Sequence, residues 1–451
     1  MSADRKTVSG QTQLERRFER ALTPFQEFAG DQATSSLLLI VCTAAALLIA
    51  NSPYASGYEA FIETPLGLNF GEHTFRMDLH HWINDGLMTL FFFLIGMEIK
   101  RELLVGELKD MQRSLPVIVA ALGGMLTPAL IYFLFNADSD YIRGWGIPMA
   151  TDTAFAIGIL ALLGNRIPSA AVTFLTALAI IDDLGAILVI AAFYSESISV
   201  VHLAAAAGGL AILVLINLIG IRAPALYLLG GILVWAALLG SGVHATVAGI
   251  LVAATIPARP KRRPGWFLRR TQKLVDRFRE IENRKVAAQP MLGEAEQHAV
   301  AARLQDAAEK ATTPLRRWEH ALDRPVSLLV MPVFALTNAG ITVSRETLES
   351  VWHHPLTLGV IFGLVIGKGL GIPLFAWLAV RLKLGRLPES VSLNHIIGVG
   401  LLGGMGFTMS IFIARLGFAG MPDAMLAAQA GILAASLVAG CAGYLWLRVR
   451  S

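Results

Sequence analysis

Long apolar runs alternate with short polar breaks through most of the chain. They fall at about 34–50, 80–99, 114–136, 145–163, 169–194, 200–219, 223–239, 243–256, 325–342, 356–380, 394–414 and 424–447. Runs of this length and apolarity predict membrane-crossing helices. The pattern therefore predicts an all-α polytopic membrane protein of about twelve transmembrane helices. Residues 1–33 form a polar tail, 34–257 hold spans 1–8, 258–322 form a polar helical insert, and 323–451 hold spans 9–12 and the C-terminal end. The chain does not open on a short apolar core with a small-residue cleavage site, so the first span is expected to act as an uncleaved anchor.

One stretch departs from the helical period. In Leu66-Gly67-Leu68-Asn69-Phe70-Gly71-Glu72-His73-Thr74-Phe75-Arg76-Met77, apolar positions alternate on both sides of a Gly-containing turn. This predicts a β-hairpin over about 64–78. An isolated hairpin is marginal in water, so it should lean on the membrane domain or pair with another copy.

Composition agrees with a membrane protein: 55% of residues are hydrophobic and 16% charged, with a mean hydropathy of +0.60. The basic residues, which set a pI near 9.1, gather in particular loops and do not indicate a nucleic-acid partner. With the N-terminus placed inside, the short inner segments carry sixteen Lys and Arg and the outer loops only Arg76, Arg143, Arg345 and Arg415. This asymmetry predicts cytoplasmic N- and C-termini. The insert, also inside, holds fifteen Lys and Arg against eight Asp and Glu. Leu274, Val275, Phe278 and Ile281 share one helical face there, so it reads either as an amphipathic helix on an anionic leaflet or as a solvated helical linker.

The candidate chemistry lies within the apolar runs. Asp182 and Asp183 occupy the middle of Ala170–Phe193. An ionisable group at that depth costs about 2.5–3.5 kcal/mol on insertion scales, and adjacent like charges oppose each other. Such a pair points to a bound cation or proton. Asp152 follows Gly144, Gly146 and Pro148, which interrupt the fourth span, and Thr151 and Thr153 add hydroxyl oxygens suited to a hard cation such as Na⁺. The eleventh span carries Gly398, Gly400, Gly403, Gly404 and Gly406 before Thr408 and Ser410. Interruptions in the middle helix of spans 3–5 and of spans 10–12 predict inverted-topology repeats, with helices 4 and 11 crossing at mid-membrane. Lys368, deep in the tenth span, needs a carboxylate or a helix C-terminus beside it. If these groups share a cavity, a proton and a metal cation compete to relieve its negative charge. With access alternating between the two faces, such competition is exchange. No cofactor and no enzymatic step is called for.

At these residues the chain closely resembles the NhaA family of bacterial sodium/proton antiporters. The resemblance rests on Gly96–Leu103, Ala150–Ala156, Ala177–Ala186, Ser241–Thr246, Ile366–Lys368 and Gly406–Phe412. It implies an electrogenic transporter of the inner membrane that exports Na⁺ or Li⁺ for a larger number of protons and is activated at alkaline pH. The implied cation site is Asp183 with Asp182, and Thr151 near. Lys368 is implied to pair with Asp182 and to carry a transported proton, and Asp152 to balance the helix ends. The pH response maps onto Glu98, Glu102, His244 and Glu319, and a homodimer onto the hairpin. Two other readings are weaker. An intramembrane aspartyl protease has a signature resembling Gly-x-Gly-Asp, whereas Ile180-Ile181 precede this pair. A passive cation channel would move Na⁺ without counter-moving protons.

Overall fold

The computed structural model describes residues 32–70, 73–195, 198–283, 295–342, 351–388 and 390–450. The N-terminal tail, apart from its last residues, lies outside them. The chain divides into two compact units, one containing residues 256–321 and the other 32–255 with 322–451.

Among the described residues the larger unit is helical apart from one hairpin. Its elements are α1 (Gln32–Ala50), α2 (Ala55–Ile62), β1 (Pro65–Phe70), β2 (His73–Asp78), α3 (Leu79–Val105), α4 (Met111–Asn136), a 3₁₀ stretch (Asp140–Met149), α5 (Thr153–Leu163), α6 (Ser169–Phe193), α7 (Val200–Ile219), α8 (Pro224–Leu239) and α9 (Val247–Thr255). After the insert come α13 (Met331–Asn338), α14 (Pro355–Arg381), α15 (Leu393–Gly403), α16 (Phe407–Gly417) and α17 (Pro422–Arg450). Every predicted span has a helical counterpart. Among the described residues, seven helical stretches are long and apolar enough to cross a bilayer unaided, and two bent pairs, α1–α2 and α15–α16, raise this to nine. The others are short: α8 has 16 residues and α9 only 9.

The hairpin forms as the alternation predicts, with β1 and β2 antiparallel and Leu66 opposite Met77. It is tied to the start of α3, whose Trp82 donates from Nε1 to the Leu66 carbonyl at 3.1 Å.

The two repeats meet along α4 and α14, where small residues permit a backbone approach. A Cβ at Gly123 would lie 2.6 Å from the Gly371 carbonyl oxygen, and one at Gly371 would lie 2.4 Å from that of Gly123. Gly123→Val is expected to lower stability by about 1–3 kcal/mol, read as a drop in melting temperature in detergent; an unchanged melting curve would contradict this packing.

The insert has a core of its own. Helices α10 (Pro264–Asn283) and α11 (Ala295–Ala311) bury Leu274, Ile281, Val300 and Ala307, with Trp266, Phe267, Phe278 and Leu304 packed around them. This revises the leaflet reading, because the apolar face of α10 is already covered by α11. Helix α12 (Pro314–Pro325) follows.

Candidate functional site

The fourth span is interrupted where Pro148 and the glycines predict. The 3₁₀ stretch ends at Met149, residues 150–152 are extended or irregular, and Asp152 caps α5 by accepting the Phe155 N–H at 3.3 Å. The eleventh span breaks between α15 and α16 with a bend of 45°. Each break satisfies the other's loose backbone groups. Asp152 N–H donates to the Met405 carbonyl at 2.6 Å, and Ser410 Oγ donates to the Ile147 carbonyl at 2.7 Å.

The polar side chains are distributed by charge around this crossing. Asp152 Oδ2 accepts from both Thr408 N–H (3.0 Å) and Thr408 Oγ (2.5 Å). Thr408 is the second residue of α16, so the carboxylate sits between the N-termini of α5 and α16, where helix dipoles favour a negative charge. Lys368 lies beside the C-terminus of α15: a Cβ on Gly403, the last residue of α15, would be 3.8 Å from the Lys368 stem. A cation is the favoured charge at that end. Sequence inspection missed Thr408 as the partner of Asp152. Its signal in the sequence is that Thr408-x-Ser410 repeats the hydroxyl spacing of Thr151-x-Thr153.

Lys368 Nζ donates to Asp182 Oδ2 at 2.5 Å and to Thr151 Oγ1 at 2.8 Å. Thr151 Oγ1 in turn lies 2.8 Å from Asp182 Oδ2 and 3.0 Å from the Gly403 carbonyl oxygen. A hydroxyl has a single hydrogen, so Thr151 donates to one of these two at a time. Asp182 and Lys368 are fully buried, and Asp183 is only 5% exposed. Neither Asp182 Oδ1 nor Asp183 Oδ1 has a hydrogen-bond partner among the described residues. Buried carboxylate oxygens without partners are costly and are suited to a hard cation or a proton. The structure thus brings Asp152, Asp182, Asp183, Thr151 and Lys368 to one crossing.

Of the residues expected to govern the pH response, Glu98 and Glu102 stand together and His244 lies apart from them. Glu98 and Glu102 stand one turn apart on α3. Glu98 and Asp152 are near enough to act electrostatically on Asp183, and Glu102 is paired with Arg101. His244 lines a cavity of about 1050 Å³ together with His80, Asn84 and Asp85, at the other end of α3. Glu319 lies on α12.

The sequence as a whole agrees with this geometry. Residues 26–447 match the family model described as Na⁺/H⁺ antiporter 1. The chain belongs to this family. It is 46% identical over 435 residues to the Na⁺/H⁺ antiporter NhaA 1 of Saccharophagus degradans, covering 96% of this chain and 93% of the relative. It is 46% identical over 434 residues to the NhaA of Sulfurimonas denitrificans, covering 96% and 97%, and 47% identical over 432 residues to that of Koribacter versatilis, covering 95% and 92%. The protein is therefore a multi-pass membrane protein of a bacterial antiporter family.

Within this family member, Thr408→Val keeps the backbone N–H bond to Asp152 but removes the hydroxyl one. The expected cost is about 1–3 kcal/mol, seen as a lower melting temperature in detergent and restored by Thr408→Ser. Equal stability of the Val and Ser variants would show that the hydroxyl contributes nothing.

Proposed function

We propose that the protein exchanges Na⁺ or Li⁺ leaving the cell for a larger number of entering protons, electrogenically and with activation at alkaline pH. Asp183 and Asp182 hold the cation, with Thr151 near. Lys368 compensates Asp182 and carries a proton when the cation displaces it, and Asp152 balances the two helix N-termini. Glu98, Glu102, His244 and Glu319 serve the pH response. The observation that carries the reading is the pair of buried, unpartnered carboxylate oxygens beside a lysine bound to the same aspartate.

Cavities on either side support alternating access. One of about 370 Å³ is lined by Glu102, Thr173, Thr176 and Ala177, near the start of α6. The other, of about 1050 Å³, is lined by Phe193 and Tyr194 at its end. At about 1.5 Å per residue, Asp183 is some 10 Å along α6 from Thr176. Ile95, Ile99 and Ile180, with Leu184 against them, form an apolar cluster along that interval. A channel would need these compartments joined, whereas the aspartates are enclosed.

The reading places both termini in the cytoplasm and the chain in the bacterial inner membrane. It also pairs two copies through residues 64–78, because the hairpin has two strands and is marginal alone. The test is Na⁺-induced collapse of a preformed pH gradient in everted vesicles, followed with a dye from pH 6.5 to 8.5. Prompt collapse, greater at alkaline pH and accompanied by charge movement in proteoliposomes, is expected. Na⁺ passage with no proton movement would establish a channel instead.

A further inference from the structure

Three potential ligands stand together where the hairpin meets α3, away from the aspartate pair. Asp78 is the last residue of β2, and His80 and His81 lie in the first turn of α3. One ligand atom from each lies within 4.8 Å of the others. Asp78 Oδ1 is 2.6 Å from His81 Nδ1 and also accepts the His81 backbone N–H at 2.7 Å.

His80 is held in place from behind. Its Nε2 faces Asn338 Oδ1 at 3.3 Å, and Asn84 Nδ2 lies 3.1 Å from Nε2 and 3.3 Å from Nδ1. Asn338 Nδ2 donates to Asn84 Oδ1 at 3.0 Å, and Gln429 Nε2 donates to the Asn338 carbonyl at 2.7 Å. With Nε2–H directed at Asn338, Nδ1 accepts from Asn84 Nδ2 at 3.3 Å, a bond that a metal ion would have to displace. Metal-bound imidazoles are oriented by such outer bonds.

The geometry points to a site for one divalent transition-metal ion of the Zn²⁺ class, held by Asp78, His80 and His81 at the mouth of the large cavity. Two imidazoles and one carboxylate are the ligand types of such ions, with bonds of about 2.0–2.2 Å. The set must close from its present spacing. The His81 side chain is free to move, being 61% exposed. His80 and His81 both line the cavity, so water can supply the remaining coordination position. Arg143 and Arg415 line the same cavity and oppose a cation there. This inference does not depend on the exchange reading, because none of its ligands belongs to the aspartate site.

The test uses full-length, tag-free protein in detergent, titrated with Zn²⁺ by calorimetry in chelator-free buffer. One Zn²⁺ per chain is expected. Asp78→Asn and His81→Ala should each weaken binding at least about tenfold while keeping the wild-type melting temperature in EDTA. Mg²⁺ should not compete, because hard cations prefer oxygen ligands. Absence of stoichiometric Zn²⁺ binding in the wild type, equal binding in the two folded variants, or full competition by Mg²⁺ would each overturn the site.

Discussion

Asp183→Asn is expected to abolish Na⁺-dependent proton exchange while leaving the fold intact. The substitution keeps shape and volume but removes one formal charge from a site that is only 5% exposed. Losing a charge-assisted ligand in such a place costs about 3 kcal/mol, roughly a hundredfold in ion affinity. The fold has little to lose, because Asp183 Oδ1 has no partner to give up. Asp182→Asn is expected to stop exchange as well, but not so harmlessly. It strips Lys368 of its carboxylate and leaves an ammonium with 0% exposure facing a neutral amide. Sequence alone predicts that neither substitution unfolds the protein; the 2.5 Å bond to Lys368 separates the two. Exchange measured in vesicles, beside melting temperatures in detergent, checks both halves. Full exchange in folded Asp183→Asn would sink the assignment of the cation site.

The parts of the fold that were legible are those fixed by local chemistry. Pro148 with Gly144 and Gly146, and the run of glycines ending at Gly406, made both interruptions readable, although Pro116 and Pro128 lie inside α4 without breaking it. Period-two alternation gave the hairpin its pairing. Lys368 had to find a carboxylate because an unpaired ammonium at that depth is too costly. What escaped depends on partners distant in sequence. The face of α10 carrying Leu274 and Ile281 is amphipathic whether it meets lipid or α11, and periodicity cannot distinguish the two. Thr408 is 256 residues from Asp152, and a threonine in an apolar helix more often bonds its own backbone. The widened π turns at Trp82–Leu87, Val326–Val330 and Gly363–Gly367 leave no periodic mark in so few residues. Asp78, His80 and His81 gave no sequence signal of a site, because their grouping comes from the junction of a strand with a helix. The resemblance supplied the pH-response residues as a set, and within the larger unit His244 lies at the opposite end of α3 from Glu98 and Glu102.

Lys368→Met should produce the second large effect, and its reversal is the more informative half. Met matches the lysine stem in volume and keeps the packing beside Gly403, but it cannot donate to Asp182 or Thr151. Breaking a buried ion pair from one side costs about 3–5 kcal/mol, because the remaining charge is stranded without solvent. Thr151 alone stays within reach of Asp182 Oδ2, and a single hydroxyl does not replace an ammonium. The melting temperature in detergent should fall clearly at neutral pH. In Lys368→Met/Asp182→Asn both charges are gone, and most of that loss should return, since replacing a buried pair with neutral groups is often close to neutral overall. A double variant as unstable as the sum of the two single variants would mean that the residues act independently, against the 2.5 Å geometry. Recovery of stability without recovery of exchange would separate two roles of the pair: Lys368 makes it tolerable to bury Asp182, and Asp182 is buried because the transported ion needs it there.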